Sequence, residues 1–387
     1  MFKINKSTTI IYIFVLIIFL QNPPWFFWGS GFYILCICVL ISSLLLFKKI
    51  LSSKRSNHLH IFFSLFLFFF FVVFHSFQQF RLSSLVTIIV FIQLFYINSD
   101  EKLKILDKIT SVLFYIIIIS LPLWLINQFL YNLPFKYEMN YGDWKGDGGT
   151  KIIENYLFFV QAGNSFINRF YSVFDEPGVL GTLSSFLLFA NRYNFKDKRN
   201  VVILIGGMFT YSLAFFVLFF LGMTLYYIRE PKKWLKYLSF CFVLLIILFT
   251  FFYKSEVFGE VFNVAIVDRL DRGSDAADSR ISETTNRYFN TYITTGESIL
   301  GKGTLFLKEN PILMQGQGFQ FFLIEYGFAG LFLVIGMYLF GIKENNFLLY
   351  SYLALFLFSF IQRPFLFTSW QLIIYYVGCE NLYSKEL

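Results

Sequence analysis

Charged side chains, histidine and cysteine are all scarce in this chain of 387 residues. Charged residues make up 14% of the sequence and hydrophobic residues 57%, and phenylalanine alone occurs 56 times. The four cysteines lie in apolar runs, and the three histidines are too sparse for the clusters that bind metals. We therefore expect no disulfide, no metal site and no cofactor.

The shortage of charge also excludes an ordinary soluble protein. Apolar stretches such as Phe62–Phe74 and Tyr237–Tyr253 have nearly the length and composition of bilayer-crossing helices. The first such run, Thr9–Leu20, has no small-residue cleavage site after it, so we interpret it as a retained helix rather than a signal peptide. The composition predicts an all-α polytopic membrane protein, with residues 1–387 forming one integral membrane domain.

The basic residues indicate how the chain is oriented. The net charge of +8 would suggest nucleic acid as the partner of a soluble protein, but here Lys and Arg concentrate in short loops between apolar runs. With those loops in the cytoplasm, the sequence predicts about twelve spans and both termini inside. The two long polar segments, Tyr131–Asp175 and Lys254–Gly318, then become large periplasmic loops. The expected partner is the lipid bilayer, and no nucleic acid is expected.

One apolar stretch does not fit a single span. Val201–Ile228 is apolar throughout, yet both of its flanks are basic. Two short helices that turn near Thr210–Ser212 would keep both flanks on the cytoplasmic side, and irregular backbone at that depth is tolerated where it lines a cavity.

The strongest local motif lies where the first polar segment ends. Arg169 precedes an acidic pair, Asp175 and Glu176, and Pro177 then opens an apolar run. Acidic residues followed by proline are typical of a helix start, and a helix N-terminus beside an arginine suits an anion such as phosphate. The alternative is a capped membrane helix with an arginine at the interface.

Three further features stand out in the second polar segment and in the helix after it. Arg280 and Arg287 are seven residues apart, so on a helix they would share a face and could clamp a polyanion; the alternative is a solvated helix. The glycines of Gly301-Lys-Gly303 favour turns that let the loop approach the membrane. Glu325 lies inside an apolar helix, where a carboxylate is costly and indicates a function, although a role in helix packing is the alternative.

Taken together, these motifs resemble the Wzy-type O-antigen and capsular polysaccharide polymerases, which are related to the O-antigen ligases. The resemblance covers the whole chain, including the span count and the two outer loops. It rests on Arg169–Gly178, on Asp278–Arg280 with Arg287, on Leu300–Gly303, and on Gln317–Gly330.

The resemblance implies a metal-independent glycosyltransferase of the GT-C type at the periplasmic face of the bacterial inner membrane. Such an enzyme joins oligosaccharide repeat units carried on undecaprenyl pyrophosphate, and a chain-length regulator is a candidate partner. The resemblance also implies that Arg169, Arg280 and Arg287 bind the pyrophosphate and the glycan.

The chemistry also needs a base for the acceptor hydroxyl. Glu176 is the first candidate and Asp175 the second, with Glu325 as a further substrate-binding or catalytic carboxylate. The related ligases place a histidine just before the helix that here starts near Phe319, whereas this chain has Gln315 and Gln317. That difference disfavours a ligase. The O-antigen ligase, which would transfer the glycan to lipid A–core, is still the nearest alternative, and a flippase-like transporter and a structural scaffold are the others.

Overall fold

The computed structural model describes residues 5–52, 58–75, 81–131, 133–134, 137–140, 152–163, 169–253, 283–310, 313, 318–363 and 365–384. Within these residues the chain is mostly helical. The helices are α1 Lys6–Gln21, α2 Gly31–Ser52, α3 His58–Phe68, α4 Leu82–Tyr96, α5 Ser99–Phe129, α6 Pro177–Ala190, α7 Lys198–Phe209, α8 Leu213–Tyr227, α9 Pro231–Tyr253, α10 Glu283–Tyr292, α11 Gly303–Glu309, α12 Phe319–Leu339, α13 Phe347–Gln362 and α14 Ser369–Ser384.

The apolar runs named above are helical: Thr9–Leu20 lies in α1, Phe62–Phe74 in α3 and the helical turn that follows it, and Tyr237–Tyr253 in α9. Among the described residues, three segments are both long and apolar enough to cross a bilayer: Gly31–Ile50, Ser99–Phe129 and Phe319–Leu339. Several other helices are apolar but contain only 10–17 residues. The helical, membrane-protein character of the chain is therefore supported, while the number of spans stays a prediction.

The first polar segment departs from the all-α prediction. It contains a three-stranded antiparallel sheet, β1 Tyr137–Asn140, β2 Ile152–Asn155 and β3 Val160–Ala162, in the order β1–β2–β3. Ile153 and Asn155 of β2 are fully buried and alternate with partly exposed neighbours. This period-two pattern covers only four residues, which is too short to stand out from the sequence.

Two buried helices form the centre of the molecule. Every residue of α6 is buried, and α14 is buried along most of its length. The α14 helix packs against α1, α4, α5, α6 and α13. Its start is bound to α1 because the backbone N–H of Trp370 donates to the side-chain oxygen of Gln21 at 2.8 Å.

The break predicted within Val201–Ile228 is confirmed. The α7 helix ends at Phe209, α8 begins at Leu213, and the turn between them is buried. Gly207 permits this turn because a Cβ there would collide with the Phe215 ring. At its other end α7 is capped by Asp197, whose Oδ1 accepts from the Arg199 N–H at 2.9 Å.

Candidate functional site

The segment that leads into α6, residues 169–176, is largely buried and held by backbone bonds from three sides. The Phe170 N–H donates to the Phe209 carbonyl at 3.1 Å, and the Trp25 N–H donates to the Val173 carbonyl at 3.0 Å. The Val160 N–H of β3 donates to the Ser172 carbonyl at 2.8 Å. The start of α6 is thereby fixed to α7, to the α1–α2 connection and to the sheet.

Arg169 is bound to the turn between α7 and α8. Its Nε donates to the Thr210 carbonyl at 2.9 Å, and its Nη2 donates to the Tyr211 carbonyl at 3.0 Å. These bonds satisfy carbonyls at a helix end, where intrahelical partners are missing. The guanidinium therefore has a structural role. If Arg169 also binds phosphate, as predicted, it must do so while it keeps these two bonds.

The charged residues of this segment act electrostatically on Tyr171. Burial raises the pKa of the Tyr171 hydroxyl; the positive charge of Arg169 lowers this pKa, and the carboxylates of Glu176 and Asp175 raise it. The structure thus brings Arg169, Asp175 and Glu176 within electrostatic reach of one side chain.

Glu176 makes an ion pair that the sequence did not indicate. Its Oε2 accepts from Nη2 of Arg363 at 2.5 Å. Glu176 occupies the position before α6 in an extended conformation, and Pro177 fills the first helical position. Because the carboxylate is turned toward Arg363, no side-chain cap bond to the helix is made. The predicted helix start is confirmed, but the Glu176 side chain pairs with Arg363 instead of capping the helix.

Glycine in the motif has a specific steric reason. A Cβ on Gly178 would collide with the guanidinium of Arg363, so only glycine lets that group lie against the first turn of α6. Three residues later, a Cβ on Gly181 would approach Phe215 of α8 to 2.9 Å. Gly178 therefore leaves room for the Arg363 guanidinium, and Gly181 lets α6 pack closely against α8.

Arg363 is the residue that sequence reasoning missed. It follows α13, and its side chain is 8% exposed. Its Nε is buried and has no hydrogen-bond partner among the described residues. A buried donor without a partner is costly, and an unused guanidinium donor at a helix N-terminus suits an anionic ligand. An arginine between two apolar helices is the signal that could have identified it.

Glu325 belongs to a second polar cluster. Its buried Oε1 pairs with Nη1 of Arg81 at 2.6 Å and accepts from the Thr304 hydroxyl at 2.8 Å. Arg81 lies directly before α4, and its side chain is 34% exposed. The carboxylate inside the apolar helix is thus paired, as buried charges require.

The helix that carries Glu325 is broken. Gly327 has φ of +64° within α12, and the segment after Ser298 packs into the break. The Lys302 N–H donates to the Ile324 carbonyl at 2.8 Å, and the Ala329 N–H donates to the Ile299 carbonyl at 2.9 Å. The second polar segment therefore contacts α12 at Gly301-Lys-Gly303, where the glycines predicted a turn.

The connection between α13 and α14 lies beside both clusters. Arg363 pairs with Glu176, and the ring of Phe367 in the same connection lies 6.3 Å from the ring of Tyr326, next to Glu325. Arg287 lies on the exposed side of α10 in the second polar segment. Arg280 lies outside the described residues, so its predicted alignment with Arg287 stays a prediction.

Comparison with known proteins gives no relative for this chain. No family model, no curated protein and no solved structure matches it. The chemistry of the site therefore rests on its own residues.

Proposed function

We propose that this protein is a polysaccharide polymerase, a glycosyltransferase that joins lipid-pyrophosphate-linked oligosaccharide repeat units at the periplasmic face of the inner membrane. The observation that carries the proposal is the buried guanidinium of Arg363 at the start of α6, beside Glu176. A cation, a helix N-terminus and a carboxylate together suit the transfer of a sugar from a pyrophosphate.

The donor side of the reaction needs an anion site that a membrane lipid can reach. The α6 helix rises only ~21 Å for its 14 residues, whereas the hydrocarbon core of a bilayer measures ~30 Å. If its inner end lies at the inner boundary, its N-terminus lies below the outer boundary. A pyrophosphate attached to a lipid would reach that depth, and the Arg363 guanidinium and helix dipole would neutralise its charge.

The transfer step exchanges one carbon–oxygen bond for another. The acceptor hydroxyl oxygen attacks the anomeric carbon of the donor glycan and forms the new glycosidic bond. The bond from that carbon to the pyrophosphate breaks, and the lipid pyrophosphate leaves with the electron pair. The proton of the hydroxyl passes to a carboxylate, which acts as the general base.

Glu176 is preferred to Asp175 as the base because it is the more exposed of the two carboxylates. The Glu176 side chain is 26% exposed, whereas Asp175 is 8% exposed. Glu176 also lies beside Arg363, so base and anion donor are adjacent. Asp175 is assigned a supporting electrostatic role.

Deletion of the gene in the source bacterium, followed by analysis of its lipopolysaccharide, tests this function. Loss of a polymerase leaves lipid A–core carrying a single repeat unit, because ligation still occurs. Loss of a ligase would leave bare core and accumulated lipid-linked polymer, and loss of a flippase would leave repeat units on the cytoplasmic side.

The deletion should therefore give one short band in place of the ladder, restored by the wild-type chain. Arg363→Ala should fail to restore the ladder although the protein is present in the membrane. Bare core, or an unchanged ladder after deletion, would contradict the proposal.

A further inference from the structure

The turn between β2 and β3 presents two large apolar side chains to the surroundings. Leu157 is 42% exposed and Phe158 is 46% exposed. Leu157 also has φ of +75°, a conformation that costs free energy for any residue with a Cβ. An unfavourable backbone that places apolar groups outside the protein calls for a functional reason.

This turn is held firmly. The Leu157 N–H donates to the Asn155 side-chain oxygen at 2.7 Å, and the Tyr156 N–H donates to the Phe159 carbonyl at 3.0 Å. The Tyr156 and Phe159 rings stack with centroids 4.5 Å apart. The two apolar side chains therefore project from an ordered turn and do not fold back onto the sheet.

The turn is attached to the connection between α1 and α2. The indole N–H of Trp25 donates to the Leu157 carbonyl at 2.9 Å, and the next residue, Phe26, is 54% exposed. The α2 helix follows and exposes a stripe of large apolar side chains at spacings of four and three residues: Tyr33, Ile37, Leu40, Leu44 and Phe47. This stripe is suited to lipid contact on a helix long enough to cross a bilayer.

We propose that Leu157 and Phe158, here called the hairpin tip, insert into the interfacial layer of the outer leaflet of the bilayer. The tip extends the apolar surface of α2 and Phe26 beyond the end of the helix, and aromatic residues favour this layer. The tip itself offers only hydrocarbon side chains. A glycan would need polar partners, but Glu154 and Gln161 of the sheet already bond to each other at 2.8 Å.

Insertion would fix the sheet relative to the membrane. Because β3 donates a backbone bond to residue 172, the tip would also fix the segment that enters α6. The proposal concerns the membrane contact alone and does not depend on the enzymatic activity.

Spin labels report the depth of the tip directly. Phe158→Cys is labelled in the full chain and reconstituted into nanodiscs of phosphatidylethanolamine and phosphatidylglycerol, with labelled unsubstituted protein subtracted as background. Collision rates with oxygen, which concentrates in lipid, and with a water-soluble nickel chelate are then measured. Leu40→Cys on the α2 stripe is the lipid control, and Glu138→Cys on the exposed side of β1 is the aqueous control.

The ratio of oxygen to nickel collisions at residue 158 should be severalfold above that at residue 138 and below that at residue 40. A ratio equal to that at residue 138 would overturn the proposal. Protection from both reagents would also overturn it, because a protein surface would then cover the tip. Leu157→Cys should give the same result and serves as the second label site.

Discussion

At the scale of single residues, the site depends on the guanidinium of Arg363. This group is buried but uses few of its hydrogen-bond donors within the described residues. Arg363 contributes Nη2 to Glu176, while its Nε has no partner among the described residues. In the proposed function the pyrophosphate would use the remaining donors. Lysine would keep the charge but present a single ammonium group instead of a planar fork.

Arg363→Lys should therefore reduce polymerisation more than it reduces stability. Loss of one charge-assisted bond costs ~1.5–3 kcal/mol, which corresponds to roughly 10- to 150-fold in rate. The ladder of the complemented deletion strain gives the readout, with immunoblots for the amount of protein. Arg229→Lys is the matched control, because Arg229 is exposed and lies over the Phe347 ring instead of at the site. Equal ladders from both variants would contradict the role given to Arg363.

The pair of Arg363 and Glu176 also makes a prediction about stability. Glu176→Gln removes the charge that the buried Arg363 guanidinium faces. Breaking a fully buried pair from one side costs roughly 3–5 kcal/mol, and the partial exposure of Glu176 makes the expected cost smaller than that. The double variant E176Q/R363L should be more stable than E176Q alone, because both charges are then absent. Thermal unfolding in detergent measures the difference. If E176Q melts like the wild type and the double variant does not exceed it, the pair contributes little to stability.

Replacing Arg169 distinguishes a structural role of this residue from a role in substrate binding. Arg169→Ala leaves the Thr210 and Tyr211 carbonyls without these donors, at a cost of ~1–3 kcal/mol for each buried group that remains unsatisfied. A structural role thus predicts a lower melting temperature and less protein in the membrane. Normal abundance with no ladder would instead favour the predicted clamp. Immunoblots and thermal unfolding of the same preparations distinguish the two.

The sequence indicated part of this site for a physical reason. Glu176, Pro177 and Gly178 form a local pattern, so the helix start could be predicted. Arg363 could not be assigned from such a pattern, because it lies 187 residues away in the chain and meets Glu176 only through tertiary packing. Arg169 was identified as important, but its carbonyl partners depend on where the α7–α8 turn lies.

At the scale of secondary-structure elements, the break in α12 is the feature that the sequence left hidden. Gly327 lies in an apolar helix, where an isolated glycine is common and does not indicate a break by itself. Its need for φ of +64° arises because the segment after Ser298 occupies the space beside it. Discontinuous helices in membrane proteins accompany binding sites, and here the break adjoins Glu325 and Arg81.

Gly327→Ala should be clearly destabilising. A Cβ there would be strained by the positive φ and would collide with the Ile299 carbonyl, so the cost should be at least ~1–3 kcal/mol. Gly296→Ala is the matched control, since a Cβ at that position meets nothing within 4 Å. Thermal unfolding should show a lower midpoint for the first variant only. Equal midpoints would mean that α12 can run straight through residue 327.

At the scale of the whole molecule, ion pairs at the end opposite the proposed site join distant parts of the chain. Lys343 and Lys102 both approach the buried Glu380 of α14, at 2.7 and 3.9 Å. Lys49 of α2 pairs with Glu101 of α5 at 3.2 Å. The positive-inside pattern predicted which residues share this end, but it could not predict that some of them pair with buried acids.

Reporter fusions test this two-ended arrangement. Fusions at Asn140 and Asp275 should report the periplasm, because the two long polar segments are predicted to be translocated. Fusions in the basic loops should report the cytoplasm: Lys54, Asp197, Lys233 and Asn345. Alkaline phosphatase and green fluorescent protein, which are active on opposite sides of the membrane, supply paired readouts at each position.

The fusion at Lys233 is the most informative of these. The α7 and α8 helices are separated by a buried turn at residues 210–212, and Arg169 binds that turn from the segment preceding α6. If the turn lies near the periplasmic side, both basic flanks lie in the cytoplasm, and Lys233 should give strong fluorescence and no phosphatase activity. Phosphatase activity at Lys233 would mean that 201–228 crosses once. Every later segment would then be inverted, and this would contradict the structure, in which the connection between α13 and α14 lies beside both Glu176 and the Tyr326–Glu325 region.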